Sequence, residues 1–190
     1  MKIKLVGFDP AVRNLGIAWA TYNTDTGELD VEKLRLVKTE NQAGKTVRKS
    51  SDDMRRGRIL HEAMTDCCRT AAIAIAEIPE GTQSARGAMS NGICIGVLVG
   101  CPIPLIEVAP NDTKLAAVGI KTATKGEMIA WAVAKYPDLN WLRQKRKGVM
   151  ELINDNEHLA DAIGVLHAGV KTAEFKAAVG FFRSAAVSHS

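Results

Sequence analysis

The sequence predicts an α/β domain built around one mixed sheet, and three observations carry that expectation. Three strand-like runs follow one another with only short turns between them, which implies an antiparallel meander. The later strand-like runs alternate with helical patterns, which implies parallel crossovers. No internal repeat, low-complexity tract or linker divides the 190 residues, and a composition 46% apolar and 24% charged suits one globular unit.

Residues 3 to 8 (Ile-Lys-Leu-Val-Gly-Phe) read as a buried strand that ends at Asp9-Pro10, and residues 15 to 22 as a second strand after a short turn. Asn23 to Gly27 supplies the next turn, and residues 29 to 37 give a third strand with Leu29, Val31, Leu34 and Leu36. The polar, largely basic stretch from Asn41 to Asp53, broken by Gly44, reads as a loop. A helix is expected from Met54, with Leu60, Met64, Cys67 and Ala71 at helical spacing and Arg55, Arg56 and Arg58 on its first turns.

Residues 73 to 78 (Ile-Ala-Ile-Ala-Glu-Ile) form the continuous apolar run of a strand buried on both faces, closed by Pro79-Glu80-Gly81. The segment from Ser84 to Val99 is rich in small residues and predicts a helix whose Gly87, Gly92 and Gly96 allow close packing. Residues 103 to 108 predict another strand. Thr124-Lys125-Gly126-Glu127 has capping-box spacing, so a helix should start there and stop at Pro137. Asn154 or Asp155 can cap a last helix with the apolar stripe Leu159, Ile163, Leu166 and Val170. The domain is expected to span residues 1–170, with residues 171–190 as a C-terminal tail.

A formal charge of +4 suits a protein that meets a polyanion without proving one. No stretch approaches the length of a membrane span, so a soluble intracellular protein is expected. Cys67, Cys68, Cys94 and Cys101 lie in apolar surroundings without zinc-site spacing, and read as small buried side chains in a reducing compartment.

Two carboxylates stand out because of where the strands put them. Asp9 ends the first strand and Glu77 lies near the end of the first parallel strand, so if these strands are neighbours both emerge at one sheet edge, where α/β proteins bind ligands. His158 and Asp161, three residues apart, share one face of the last helix beside its apolar stripe. Glu157 points farther from that stripe, and Asp155 is a capping residue. Three carboxylates and an imidazole in a small volume repel one another unless cations neutralise them. Oxygen donors suit Mg²⁺ or Mn²⁺, with the imidazole favouring Mn²⁺, and two such ions are the usual apparatus of phosphodiester cleavage. Taken singly, each residue also has an ordinary role as a turn, core or solvated helix residue.

These residues resemble a known family. Gly7-Phe8-Asp9-Pro10-Ala11-Val12-Arg13-Asn14-Leu15-Gly16 resembles the opening strand and turn of RuvC-type Holliday junction resolvases, and Ile75-Ala76-Glu77 resembles the strand with their catalytic glutamate. The segment Glu107 to Glu127, with Lys114, Ala117-Val118-Gly119-Ile120 and Thr124-Lys125, and the closing His158-Leu-Ala-Asp161-Ala162 are similar to two further blocks in the same order. The resemblance implies a ribonuclease-H-like fold with strand order 3-2-1-4-5 and a homodimer that nicks four-way DNA junctions symmetrically. It also implies two Mg²⁺ or Mn²⁺ ions held by Asp9, Glu77, His158 and Asp161, with Lys125, and Lys114 beside it, near the scissile phosphate. Neither a nucleotide cofactor nor a membrane enters this reading, and a phage-encoded member working in its host's cytoplasm is the expectation.

The sequence departs from the family in two places. Where several members carry an aromatic residue just after the catalytic glutamate, this chain has Pro79-Glu80-Gly81. It also carries extra basic residues, Lys45, Arg48 and Lys49 in one stretch and Arg143, Lys145, Arg146 and Lys147 in another, which with Arg86 are candidates for DNA contact. Three other readings stay open: a broader flap or fork nuclease, a non-catalytic DNA-binding relative, and an actin-like nucleotide-binding protein. The last is similar through the turn from Asp9 to Gly16, but needs a second lobe that this length does not supply.

Overall fold

A computed structural model describes residues 1–42 and 46–187, so Lys45 lies outside the described residues. Strands β1 (Lys2–Pro10), β2 (Asn14–Asn23), β3 (Leu29–Lys38), β4 (Ile73–Glu77) and β5 (Leu105–Val108) form a five-stranded sheet in the order β3-β2-β1-β4-β5. β1–β2 and β2–β3 pair antiparallel, whereas β1–β4 and β4–β5 pair parallel. The sheet is thus mixed, in the order expected.

Alternation along the central strands builds two cores. On β1, Ile3 and Leu5 face one layer while Val6 and Phe8 face the other; on β4, Ile73 and Ile75 oppose Ala74 and Ala76 in the same way. Helices α1 (Lys49–Cys68) and α2 (Ala85–Val99) cover the Phe8 side, with Leu60, Met64 and Val97 packed inward. The Leu5 side is covered by α4 (Lys125–Lys135) and α5 (Asn156–Gly169), with α3 (Pro110–Val118) against α5. Ten of the 14 residues of α5 are buried, so this helix is a core element and not a surface stripe.

The helix boundaries show what pattern reading misses. α1 starts at Lys49, not Met54: its first turn is polar, and Asp52 and Asp53 are drawn inward by Arg55 and Arg86 instead of by apolar packing. β5 begins at Leu105, because Pro102 and Pro104 keep the preceding residues out of the ladder. α3 has few apolar residues at helical spacing and was not expected. The segment after residue 170, expected as a tail, carries α6 (Ala173–Val187), whose Phe175 is buried edge-on against Tyr22 with ring centroids 4.9 Å apart.

The capping box of α4 forms as expected: the Glu127 carboxylate accepts from the Thr124 backbone N–H at 2.7 Å, and Thr124 Oγ1 accepts from the Glu127 N–H. Asp155 precedes α5 but makes no capping bond, since its carboxylate pairs with Lys38. The basic stretch from Arg143 to Lys147 is not a simple loop. It forms hairpin β6 (Arg143–Arg146) and β7 (Val149–Leu152), turned by Lys147 (φ 45°) and Gly148 (φ 87°), both left-handed as a tight two-residue turn requires. The fully buried Asn156 ties the hairpin root to α5, accepting from the Leu142 N–H at 2.9 Å and donating to the Leu142 carbonyl at 2.8 Å.

All four cysteines are free, with Cys68 and Cys101 sulfurs 3.7 Å apart. Among the described residues, no helix is long and apolar enough to cross a membrane.

Candidate active site

The parallel register of β1 and β4 ends at Phe8 opposite Ala76, so Asp9 and Glu77, the next residues, stand at the same end of the two strands. Alternation puts Asp9 on the face of Leu5 and Glu77 on the face of Ile75, the face that α5 covers. The N-terminal half of α5 carries His158 and Asp161. Four residues from three elements are thus directed toward one helix end, and of these His158 and Asp9 are in direct contact.

Two glycines let the helix come this close. A Cβ on Gly16, the register partner of Asp9, would lie 1.9 Å from the His158 carbonyl oxygen, and one on Gly7 would lie 2.6 Å from that of Ala162. Any larger residue at either position would lift α5 off β1 and β2.

His158 Nδ1 donates to Asp9 Oδ2 at 2.6 Å, and its Nε2 accepts from Asn14 Nδ2 at 3.0 Å. Asn14 is itself fixed, its backbone closing the β1–β2 turn with Ala11 at 2.8 and 3.1 Å. The Glu157 carboxylate lies 3.5 Å from His158 Nε2 and accepts from Lys125 Nζ at 2.8 Å.

The electrostatics show that the carboxylates feel one another. Burial, then the charge of Asp9, pushes Glu77 up to about 7, a rise tempered by the Thr113 hydroxyl and Lys114. Asp161 is raised by burial and by Asp9 and Glu77. Burial works against a charged His158, yet the hydrogen bond and charge of Asp9, with Glu157 and Asp161, raise it above its ordinary value. The bond to Glu157 raises Lys125.

Among the described residues, no three His, Cys, Asp or Glu side chains stand together as a ready ion-binding cluster. The donor chemistry nevertheless suits a hard divalent cation. Glu77 and Asp161 are held toward protonation by burial and by their neighbours' negative charge, and a cation among them removes that repulsion.

The expected DNA-contacting residues divide into two groups. Arg48, Lys49, Arg143, Lys145, Arg146 and Lys147 are exposed. Arg86 is half-buried and forks onto Asp53, with Nη2 2.6 Å from Oδ1, so its charge is largely neutralised within the fold.

No family model matches the chain, and no curated protein matches it by sequence. Solved structures do match. A structure of Thermus thermophilus RuvC aligns over 94% of this chain and 97% of that one, with a TM-score of 0.61 and 19% identity. Thermus thermophilus RuvC in complex with a Holliday junction substrate aligns over 87% of this chain and 92% of that one, with a TM-score of 0.60 and 18% identity. The fold is that of RuvC. The ribonuclease-H-like sheet of RuvC, in the order 3-2-1-4-5, is thus kept here at an identity too low for sequence matching to register.

Two residues beside these side chains escaped the sequence reading. Glu157 was placed away from the site because only its angle to the apolar stripe was weighed, whereas in the first turn of α5 it reaches both His158 and Lys125. Asn14 had a signal: it follows Asp9 in the β1–β2 turn, where a polar side chain returns to the sheet edge.

Proposed function

We propose that the chain is a metal-dependent endodeoxyribonuclease that nicks four-way DNA junctions symmetrically as a homodimer. The observation that carries this reading is the contact of His158 with Asp9, made where Glu77 and Asp161 share the same electrostatic field, on a fold whose Thermus thermophilus counterpart was solved with a Holliday junction substrate.

Asp9, Glu77, His158 and Asp161 would hold Mg²⁺ or Mn²⁺, two ions in the full site. Bound there, such ions make a water nucleophilic and stabilise the departing 3′ oxygen. The chain's own part is placement. Asp9 and Asn14 meet the two nitrogens of His158 and set its ring plane, and the Asn14 bond would give way where Nε2 takes an ion. Lys125 stands on the exposed rim, tethered to Glu157, and Lys114 adds positive charge beside Glu77, so both meet the phosphate during cleavage. The basic hairpin, rooted beside α5, and Arg48 with Lys49 at the start of α1 hold the DNA backbone.

The homodimer rests on α2. Ala85, Ala88, Met89, Gly92, Ile95, Gly96 and Val99 are all exposed and fall along one face of that helix, with Val99 82% and Met89 57% exposed. A Cβ at Gly92 or Gly96 would meet nothing within 4 Å among the described residues, so the stripe is open to a second copy, whose matching helix would pair two sites on opposed strands. In sedimentation, the wild-type chain should run at twice its 20.4 kDa mass, and Ile95→Asp should run as a monomer that nicks one strand without its paired partner. A monomeric wild type removes the dimer from the proposal.

The reading is tested on one gel. Labelled four-way junction, flap and duplex are each incubated with Mg²⁺, Mn²⁺ or chelator; paired symmetrical nicks in the junction, dependent on metal, are expected. Equal cutting of the flap would favour the broader branched-DNA nuclease that Pro79-Glu80-Gly81 motivates, and no cutting at all would leave a binding protein.

A further inference from the structure

Arg56 of α1 is only 2% exposed, yet it helps line a cleft of about 730 Å³ with Arg13, Lys49 and Arg86, and Asn14 and His158 form part of the same wall. Its Nε donates to Thr39 Oγ1 at 2.8 Å and its Nη1 to Asn41 Oδ1 at 2.9 Å. Its Nη2 is buried and has no hydrogen-bond partner among the described residues. Thr39 in turn donates its hydroxyl to the Val12 carbonyl and its N–H to the Arg13 carbonyl at 2.8 Å. The guanidinium is thus locked onto the β1–β2 turn, the same turn that holds Asn14 against His158.

A buried guanidinium N–H loses its water and here gains nothing in exchange, which native interiors rarely tolerate without a ligand to complete the site. The charges around it point to an anion. Arg13, Lys49 and Arg56 line the cleft, Arg86 being paired with Asp53, and the lining carboxylate, Asp52, already accepts from Arg55 at 2.6 Å. Arg13 and Lys49 are exposed at the rim, and a planar guanidinium backed by two exposed cations is suited to a phosphate oxyanion. Because His158 belongs to the wall, the cleft is continuous with the catalytic cluster, and a polymer that presents one phosphate to Asp9 carries its neighbour here.

We propose that this cleft binds a backbone phosphate of the DNA strand being cut, adjacent to the scissile one, with Arg13 and Lys49 as rim ligands and Arg56 as the floor. This rests on the nuclease reading above. It makes Arg56 and Arg13 strand-positioning residues that the basic hairpin cannot replace.

The test uses the full chain and two probes. Anisotropy of a labelled four-way junction is measured in chelator over a range of salt. Arg13→Gln and Lys49→Gln should each weaken binding about three- to tenfold and lower the log–log salt slope by about one, while Lys171→Gln, remote from the cleft, should change neither. Arg56→Lys, which keeps the charge and loses the fork, should weaken junction binding with the salt slope kept. In parallel, inorganic phosphate is titrated while the arginine Nε–H resonances are followed by NMR, with shifts expected for Arg13 and Arg56 in the wild type and lost in Arg13→Gln.

Normal junction nicking with wild-type slopes in Arg13→Gln and Lys49→Gln overturns the cleft proposal and leaves the nuclease reading intact. Phosphate shifts without any change in junction binding also overturn it, since the cleft would then hold an adventitious ion only. Phosphate shifts and reduced slopes in a protein that cuts nothing support the cleft and overturn the nuclease reading instead.

Discussion

Asp9→Asn should abolish junction cleavage while leaving junction binding within a few-fold of wild type. The substitution preserves the shape of a side chain that is 9% exposed and still offers an oxygen to His158 Nδ1, but it removes the negative charge that Glu77, Asp161 and His158 all feel. The loss should reach at least about a thousand-fold, or about 4 kcal/mol on the barrier, because the missing group acts on charge that develops during the reaction. The melting temperature should change little, since relief of Glu77 and Asp161 offsets the weakened bond to His158. Single-turnover cleavage, anisotropy and thermal melting measure the three quantities on one preparation. Cutting that survives the substitution with either metal would remove Asp9 from the chemistry and with it the proposed reaction.

Gly16→Ala should damage the fold and the site together. The new methyl would sit 1.9 Å from the His158 carbonyl oxygen and 2.6 Å from its carbonyl carbon, and backbone atoms of a buried helix cannot rotate away as a side-chain tip can. Strand and helix must part, at a cost of about 1–3 kcal/mol, which lowers the melting temperature by roughly 3–10 °C in a chain of this size. Separation there draws His158 off Asp9, so cleavage should fall at least about a hundred-fold even well below the melting point. Gly180→Ala, in mid-helix with nothing described within 4 Å, is the control and should leave cleavage unchanged and the melting temperature the same or slightly higher. Wild-type activity in Gly16→Ala would show that the position of α5 against β2 does not matter to the reaction.

The sheet was legible in the sequence because its strands carry their own signals. β1 and β4 are continuous apolar runs buried on both faces, and the alternation of helix and strand after residue 54 sets the parallel half. The capping box at Thr124 marked α4 for the same local reason. What escaped was held by interactions between distant residues. The first turn of α1 is polar and folds through Arg86 reaching Asp53 from 33 residues away; the hairpin stands on Asn156; Asp155 gave up its expected cap for Lys38. Of the site, Asp9, Glu77, His158 and Asp161 could be chosen in advance because strand ends and helical spacing place them. Their catalytic roles are inferences of chemistry. Asn14 and Glu157 were hidden because their positions depend on how closely α5 approaches the sheet, which Gly7 and Gly16 decide.

The depth of α5 has a bearing on how this molecule divides its labour. His158 and Asp161 are mounted on the element that neighbouring layers grip from nearly every side, so freeing them demands something close to global unfolding, and thermal fluctuation leaves their aim undisturbed. The basic residues that would grasp a flexible polymer sit instead on a two-stranded ribbon and a helix tip, exposed and outside the two cores. Burial is concentrated where bonds would break, and exposure where the proposed branched ligand would be met.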